Sequence, residues 1–263
     1  MSIEDIKRRK FVKKMTGLGV LGFASGAGLY FAPDLRASRL ILRPPGAVPE
    51  NRFLELCIKC GQCLQVCPYD SIELEGIKGG AGEGMAFINP SKRGCYLCPA
   101  FPCMLACPSG ALDHSHDNIK YVDMGIAVLT NVDACLGLKN EKVPDSAVDK
   151  IYNHTKILSP TERKNKEIII TGSESEKDRL QKEILLKLDK FRGKVCTICA
   201  SMCPYPTPID AIGMVKSGKG HIPEIREACV GCGACVELCP VEILKVIPRE
   251  TYNNIYKKGK KNG

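Results

Sequence analysis

Fifteen of the sixteen cysteines in this 263-residue chain fall into four short runs. Cys57-x2-Cys60-x2-Cys63-x3-Cys67 is followed by Pro68, and Cys229-x2-Cys232-x2-Cys235-x3-Cys239 by Pro240. Cys95-x2-Cys98-x4-Cys103-x3-Cys107, before Pro108, lengthens the middle gap and places Pro99 and Pro102 in it. Cys196-x2-Cys199-x3-Cys203, before Pro204, supplies three thiols and lacks a fourth. Cysteines at this spacing wrap a 4Fe-4S cubane: the first three thiolates of a run hold one cluster and the fourth faces another. Cys135 is the one cysteine outside the runs, so counting assigns it as the missing ligand and gives four clusters with four thiolates each.

The elements around these runs must make tight loops. Gly61, Gly231 and Gly233 permit positive φ and a close approach of backbone to an inorganic core, and amides aimed at sulfide lower the cost of its negative charge. Proline after the last cysteine redirects the chain without needing a donor. Each Cys-Pro leads into a related segment: Tyr69-Asp-Ser-Ile, Ser109-Gly-Ala-Leu, Tyr205-Pro-Thr-Pro-Ile-Asp-Ala-Ile and Val241-Glu-Ile-Leu. One unit, a loop, a helical turn and a short strand, is thus repeated four times. The predicted fold is α+β, loop-rich and organised by its clusters, a reading that suits a chain with no Trp and 6% aromatic residues.

Between Cys135 and Cys196 lies a polar segment, 138–190. Glu167 to Thr171 reads as a short strand, and Ser173-x-x-Glu176 as the start of a helix with an apolar stripe at Leu180, Ile184, Leu185, Leu188 and Phe191. The stripe fits a helix packed on the body, or a docking element for a redox partner.

Other chemistries fit less of the pattern. Zinc closes with four ligands from two knuckles and does not need these runs, and a disulfide framework does not suit cysteines so close in a tight loop. No Cys-x2-Cys-His attaches a c-type haem, and His114, His116, His154 and His221 read as surface residues. There is no Gly-x-Gly-x-x-Gly, Walker loop or nucleophile elbow, so no catalytic seat is expected. The formal charge of +9 is concentrated at the ends, in Lys7, Arg8, Arg9, Lys10, Lys13 and Lys14 and in the 251–263 tail. Four cubanes at roughly −2 each would bring it to about +1, and no nucleic-acid partner is expected.

Residues 1–37 resemble a twin-arginine export signal, with Arg8-Arg9, Phe11-Val12 and Lys13 followed by the uncharged stretch Thr16 to Ala32. That route exports folded proteins, which suits clusters built in a reducing cytosol. Leu35-Arg36-Ala37 is a poor cleavage site, and both a cleaved signal and a retained anchor fit.

Taken together, Cys57 through Cys67-Pro-Tyr-Asp, Tyr96-Leu-Cys-Pro, Pro102-Cys-x3-Cys-Pro-Ser-Gly-Ala-Leu, Met124-Gly-Ile-Ala-Val-Leu and Ile222-Pro before Cys229 resemble the NapG and MauM group of exported ferredoxin-type proteins. The resemblance implies two ferredoxin-like two-cluster modules. It also implies a place at the outer face of the cytoplasmic membrane or in the periplasm. Electrons would pass from a membrane-bound, NapH-like quinol dehydrogenase to a c-type cytochrome or a periplasmic, nitrate-reductase-type enzyme. Another exported oxidoreductase, such as a methylamine or nitrite system, is the alternative. By analogy with related four-cluster subunits, 48–90 and 221–250 are expected to form an outer module, and 91–137 with 191–220 an inner one. The ligand sets would then be Cys57, Cys60, Cys63 and Cys239; Cys229, Cys232, Cys235 and Cys67; Cys95, Cys98, Cys103 and Cys203; and Cys135, Cys196, Cys199 and Cys107. Pairing in sequence order is the rival. Replacing Arg8 and Arg9 together by Lys should leave the protein in the cytoplasm on fractionation, and undiminished export would remove the twin-arginine assignment.

Overall fold

A computed structural model describes residues 41–77, 82–115, 118–154, 158–165 and 167–257. The export signal, the expected anchor and the end of the basic tail lie outside them. Among the described residues, helices are mixed with three two-stranded antiparallel sheets, an α+β fold. No helix of the described residues is long and apolar enough to cross a membrane.

Each sheet is set by a short connection between cysteine runs or by the ends of such a pair. Strand β1 (Ile72–Leu74) follows the first run and pairs with β2 (Ala86–Ile88), which precedes the second. Strand β4 (Ile212–Ser217) follows the third run and pairs with β5 (Gly220–Ile225), which precedes the fourth. Gly218, at φ 58°, supplies the left-handed turn of this second hairpin. Strand β3 (Gly125–Leu129) pairs with β6 (Leu244–Pro248), joining the segment after the second run to the segment after the fourth. The first half closes in the same way: Ala47 bridges Leu112, the Val48 amide donates to Ala111 O and the Asp113 amide to Gly46 O.

This topology differs from the expected outer and inner modules. Residues 48–90 combine with the second run and 191–220 with the fourth, in sequence order. The physical reason is locality, because a hairpin between adjacent runs orders far less chain than a pairing of the two ends.

The segment between Cys135 and Cys196 holds helices α4 (Asp145–His154), α5 (Pro160–Asn165) and α6 (Glu176–Asp189). Helix α5 opens with a capping box, Ser159 and Glu162 exchanging bonds at 2.8 and 3.2 Å, and with Pro160 at its first position. Helix α6 is capped by Ser175, whose hydroxyl accepts from the Asp178 amide at 3.1 Å, two residues later than the predicted Ser173. Its stripe packs on the body: Leu185 and Leu188 are buried with Val143, Ile198 and Leu238. At about 2 kcal/mol for each buried aliphatic side chain, these contacts outweigh any single surface ion pair, worth about 0.5 kcal/mol. The packed-helix reading therefore describes this stripe.

Glu167 to Thr171 forms no strand, because among the described residues no neighbouring segment offers it a ladder. Its backbone is satisfied by side chains: the Ile169 amide donates to Glu162 and Ile169 O accepts from the Lys182 ammonium. Buried Lys182 also pairs with Glu162 at 2.9 Å and Glu174 at 3.0 Å. Replacing Lys182 by Met would leave two carboxylates packed together without a cation. Loss of local stability is expected, read as faster amide exchange in α5 and α6 with the iron content unchanged.

Candidate metal centres

Each cysteine run is shaped by left-handed residues at repeating positions. The residue before the second cysteine has positive φ in three runs: Lys59 at 59°, Leu97 at 49° and Gly231 at 68°. A second left-handed residue, Gly61, Phe101 or Gly233, then caps a one-turn helix that carries the third cysteine: α2 (Gln62–Gln65), α3 (Pro102–Leu105) and α9 (Ala234–Glu237). The two extra residues of the second run are Pro99 and Ala100, and Ala100 is left-handed as well. The third run differs, entering α7 (Ile198–Ser201) directly after Thr197. Three residues beyond the last cysteine of three runs, Asp70, Gly110 and Glu242 turn left-handed again. The exit is therefore as repetitive as the loop.

These loops bring the sixteen thiols into four sets. Cys67, Cys95, Cys98 and Cys103 line one small hollow, and Cys203, Cys229, Cys232 and Cys235 line another. Burial pushes the Cys63 thiol up to about 11, with Cys57, Cys107 and Cys60 adding to the shift, which defines a third set. Burial raises Cys196 and Cys199 too, with Cys239 and Cys135 among their charged neighbours, which defines the fourth. Cys135 is thus beside the two cysteines it was matched to by counting. The segments meet directly, since the Cys196 amide donates to Glu141 O and Lys142 bridges Val195.

The predicted pairing of outer with outer runs is corrected at four residues. Cys107 joins the Cys57 set, Cys67 the Cys95 set, Cys203 the Cys229 set and Cys239 the Cys135 set. In every case the exchanged thiol is the last of its run, and it crosses to the run on the other side of the adjoining hairpin.

The donor sets fit iron-sulfur cubanes. Several thiols converge on each apolar hollow, and backbone amides already point at sulfur: Ser71 N lies 3.4 Å from Cys67 Sγ, and Leu112 N 3.4 Å from Cys107 Sγ. Burial opposes ionisation of Cys107, but the Leu112 amide and the amide and hydroxyl of Ser109 hold its thiol below its usual value. Burial carries Cys103 up to about 12 and Cys98 to about 11, so these groups become thiolates only against a positive metal. Among the described residues, no three His, Cys, Asp or Glu close on a point as a single metal ion requires. His114 and His221 are exposed, and the His114 ring meets Cys107 O, not a thiol.

The sets stand in a row. The Cys57 set neighbours the Cys67 set through Cys63 and Cys103. The Cys67 set meets the Cys203 set where the Cys95 amide donates to Cys232 O at 2.8 Å. The Cys203 set adjoins the Cys135 set through Cys235 and Cys199. In terms of the runs the order is first, second, fourth, third. Only Cys60 of the sixteen is exposed, and it belongs to a terminal set.

Residues that sequence reasoning missed lie at the middle junction. Glu237, between Cys235 and Cys239, accepts from Arg93 at 2.9 Å, from the Gly94 amide at 2.8 Å and from the Tyr96 hydroxyl at 3.0 Å. Gly94 is required there, because an added Cβ would fall 2.4 Å from Ala234 N. Nothing in the local pattern marks this pair, since its partners are more than 140 residues apart.

A 4Fe-4S dicluster family matches residues 56–111 and 192–243, two spans in sequence order that together account for four clusters. The methylamine utilization ferredoxin-type protein MauM of Paracoccus denitrificans is 30% identical over 90% of this chain and 84% of its own length. The ferredoxin-type protein NapG of Escherichia coli is 29% identical over 92% of this chain and 85% of its own. MauM of Methylorubrum extorquens is 28% identical over 89% and 86%. No solved structure matches. The chain carries four 4Fe-4S clusters. Cys135→Ser and Cys239→Ser should each alter the same cluster's EPR signal, and the double variant should alter no second one. Two separate signals would refute their shared set.

Proposed function

The chain belongs to the NapG and MauM group of ferredoxin-type iron-sulfur electron-transfer proteins, and on that premise we propose that it is a four-site relay exported in the folded state. The row of four thiol sets carries this reading, because each set adjoins the next and no cysteine is left over. In the proposal, the sixteen ligands are Cys57, Cys60, Cys63 and Cys107; Cys67, Cys95, Cys98 and Cys103; Cys203, Cys229, Cys232 and Cys235; and Cys135, Cys196, Cys199 and Cys239. The first two of these sets form one ferredoxin-like module and the last two the other.

When bound, each cubane supplies a one-electron couple. The protein sets its potential and position. Amides such as those of Ser71 and Leu112 stabilise negative charge on sulfur, and the apolar shell around Cys95 and Cys232 excludes water and disfavours added charge. The Cys57 set, with its exposed Cys60, is proposed as one point of electron exchange with solvent-side partners.

The proposed donor is a membrane-bound, NapH-like quinol dehydrogenase, and the proposed acceptor a c-type cytochrome or a periplasmic, nitrate-reductase-type enzyme. The proposed place of action is the outer face of the cytoplasmic membrane. A methylamine system is a second acceptor reading, supported by MauM relatives as similar to this chain as NapG. No substrate-converting site is part of the proposal.

The test is anaerobic purification with iron and sulfide analysis, followed by stopped-flow mixing of the reduced protein with a c-type cytochrome. About sixteen iron and sixteen sulfide per chain are expected, with cytochrome reduction at the expense of the cluster signals. About twelve iron would remove one ligand set. Full clusters that pass no electron to the cytochrome would sink the acceptor assignment.

A further inference from the structure

We infer that Arg93 and Glu237 are positioning residues for electron passage between the two halves of the row, fixing the separation of the two central sites and balancing the charge between them. The inference rests on the cluster assignment proposed above. It concerns a pair of side chains that bind no cluster themselves.

Glu237 is buried in the helical turn between Cys235 and Cys239, with a side chain 5% exposed. All three groups that donate to its carboxylate come from residues flanking Cys95: Arg93 Nη1, the Gly94 amide and the Tyr96 hydroxyl. One carboxylate of the second half therefore grips the ligand loop of the first on both sides of its first cysteine. The Arg93 side chain, 14% exposed, reaches further. Its Nε donates to Tyr69 O at 2.8 Å, two residues past Cys67, and its Nη2 to Gln181 Oε1 at 3.1 Å. Gln181, on α6, in turn donates to Pro68 O at 3.0 Å, the residue that follows Cys67. A single guanidinium thus ties together the segments that carry Cys67, Cys95 and Cys235.

The consequence is a direct backbone contact between sites. With the clamp in place the Cys95 amide bonds to Cys232 O, and Gly94 lies against Gly233 and Ala234, closer than any side chain would allow. Electron tunnelling falls steeply with separation, so the step between halves is governed by this contact. Covalent connection does not set it, because the two loops are far apart in sequence. A buried ion pair is a costly way to gain stability but a good way to fix register, since an unpaired partner is strongly penalised in any shifted arrangement. The pair is also neutral overall. It lies between two sites that each gain negative charge on reduction, and biases neither while both its members are present.

Glu237→Gln keeps an acceptor for Gly94 and Tyr96 but leaves Arg93 as an uncompensated cation. Arg93→Gln leaves the opposite charge. Each variant is purified anaerobically, its iron counted, and its clusters titrated with EPR detection, the central signals being those that Cys95→Ser and Cys229→Ser alter. The expected result is a full iron complement with opposite shifts: the central potentials rise in Glu237→Gln and fall in Arg93→Gln, and the terminal ones stay put. The spin–spin splitting between the reduced central clusters should also weaken in Glu237→Leu. Unchanged central potentials and splitting with full iron would overturn the positioning role. Loss of clusters in both charge variants would also overturn it, in favour of a scaffold for the ligand loops. Wild-type protein with fewer than four clusters, or central signals without mutual splitting, would instead refute the cluster assignment on which the inference stands.

Discussion

Crowded, buried thiols cannot ionise together without a counter-charge, and the rest of the structure depends on that constraint. Burial pushes Cys63, Cys98 and Cys203 up to about 11 and Cys103 to about 12, and carries Cys95 and Cys235 well above their usual range, with neighbouring thiolates adding to the effect. Thiolate is the form that binds iron, so ligand loops and metal must be settled together. This explains a fold of one-turn helices and two-stranded sheets that would be marginal by themselves. Four metal-centred cross-links can do what a large aromatic core does elsewhere, and the apolar clusters that remain are assembled around cysteine.

The cysteine loops were legible because a run such as Cys57 to Cys67 specifies a loop: its spacing, its left-handed positions and its terminal proline describe one local shape. The sharing of the last thiol was not, because a run fixes its own geometry and says nothing of which loop lies opposite Cys67 or Cys239. The hairpins decide that, and their signal was present but weak: a Gly-Lys turn at 218–219 between alternating residues and three-residue strands at β1 and β2. Cys135 was singled out by arithmetic and by the family resemblance. Its neighbours come from a backbone contact between 141–142 and 195–196 that no periodicity announces.

The segment between Cys135 and Cys196 shows the same division. The apolar stripe of α6 fitted packing on the body or docking of a partner, and Leu185 and Leu188 are packed on the body. The segment 167–171 had the β-branched run of a strand, but a strand is a relation between two chain segments, and here side chains of Glu162 and Lys182 take the place of a ladder. Ser159-Pro-Thr-Glu162 carried a capping signature at least as complete as that of the longer helix, and it marks a real start.

The connection leaves the Cys135 set and returns to it at Cys196, so it belongs covalently to one terminal site. Its helix nevertheless reaches the middle of the row. Gln181 and Ile184 pack with the first half, beside Pro68, Asp70 and Arg93, while Leu185 and Leu188 pack with Ile198 and Leu238 of the second. A helix that touches both halves along a single face resists their rotation, whereas the ion pair at Glu237 resists their separation. The two restraints meet at Arg93, which bonds to both Gln181 and Glu237. The row is therefore clamped where the chain itself offers no covalent help, between loops joined by side chains and by the backbone contact of Cys95 with Cys232.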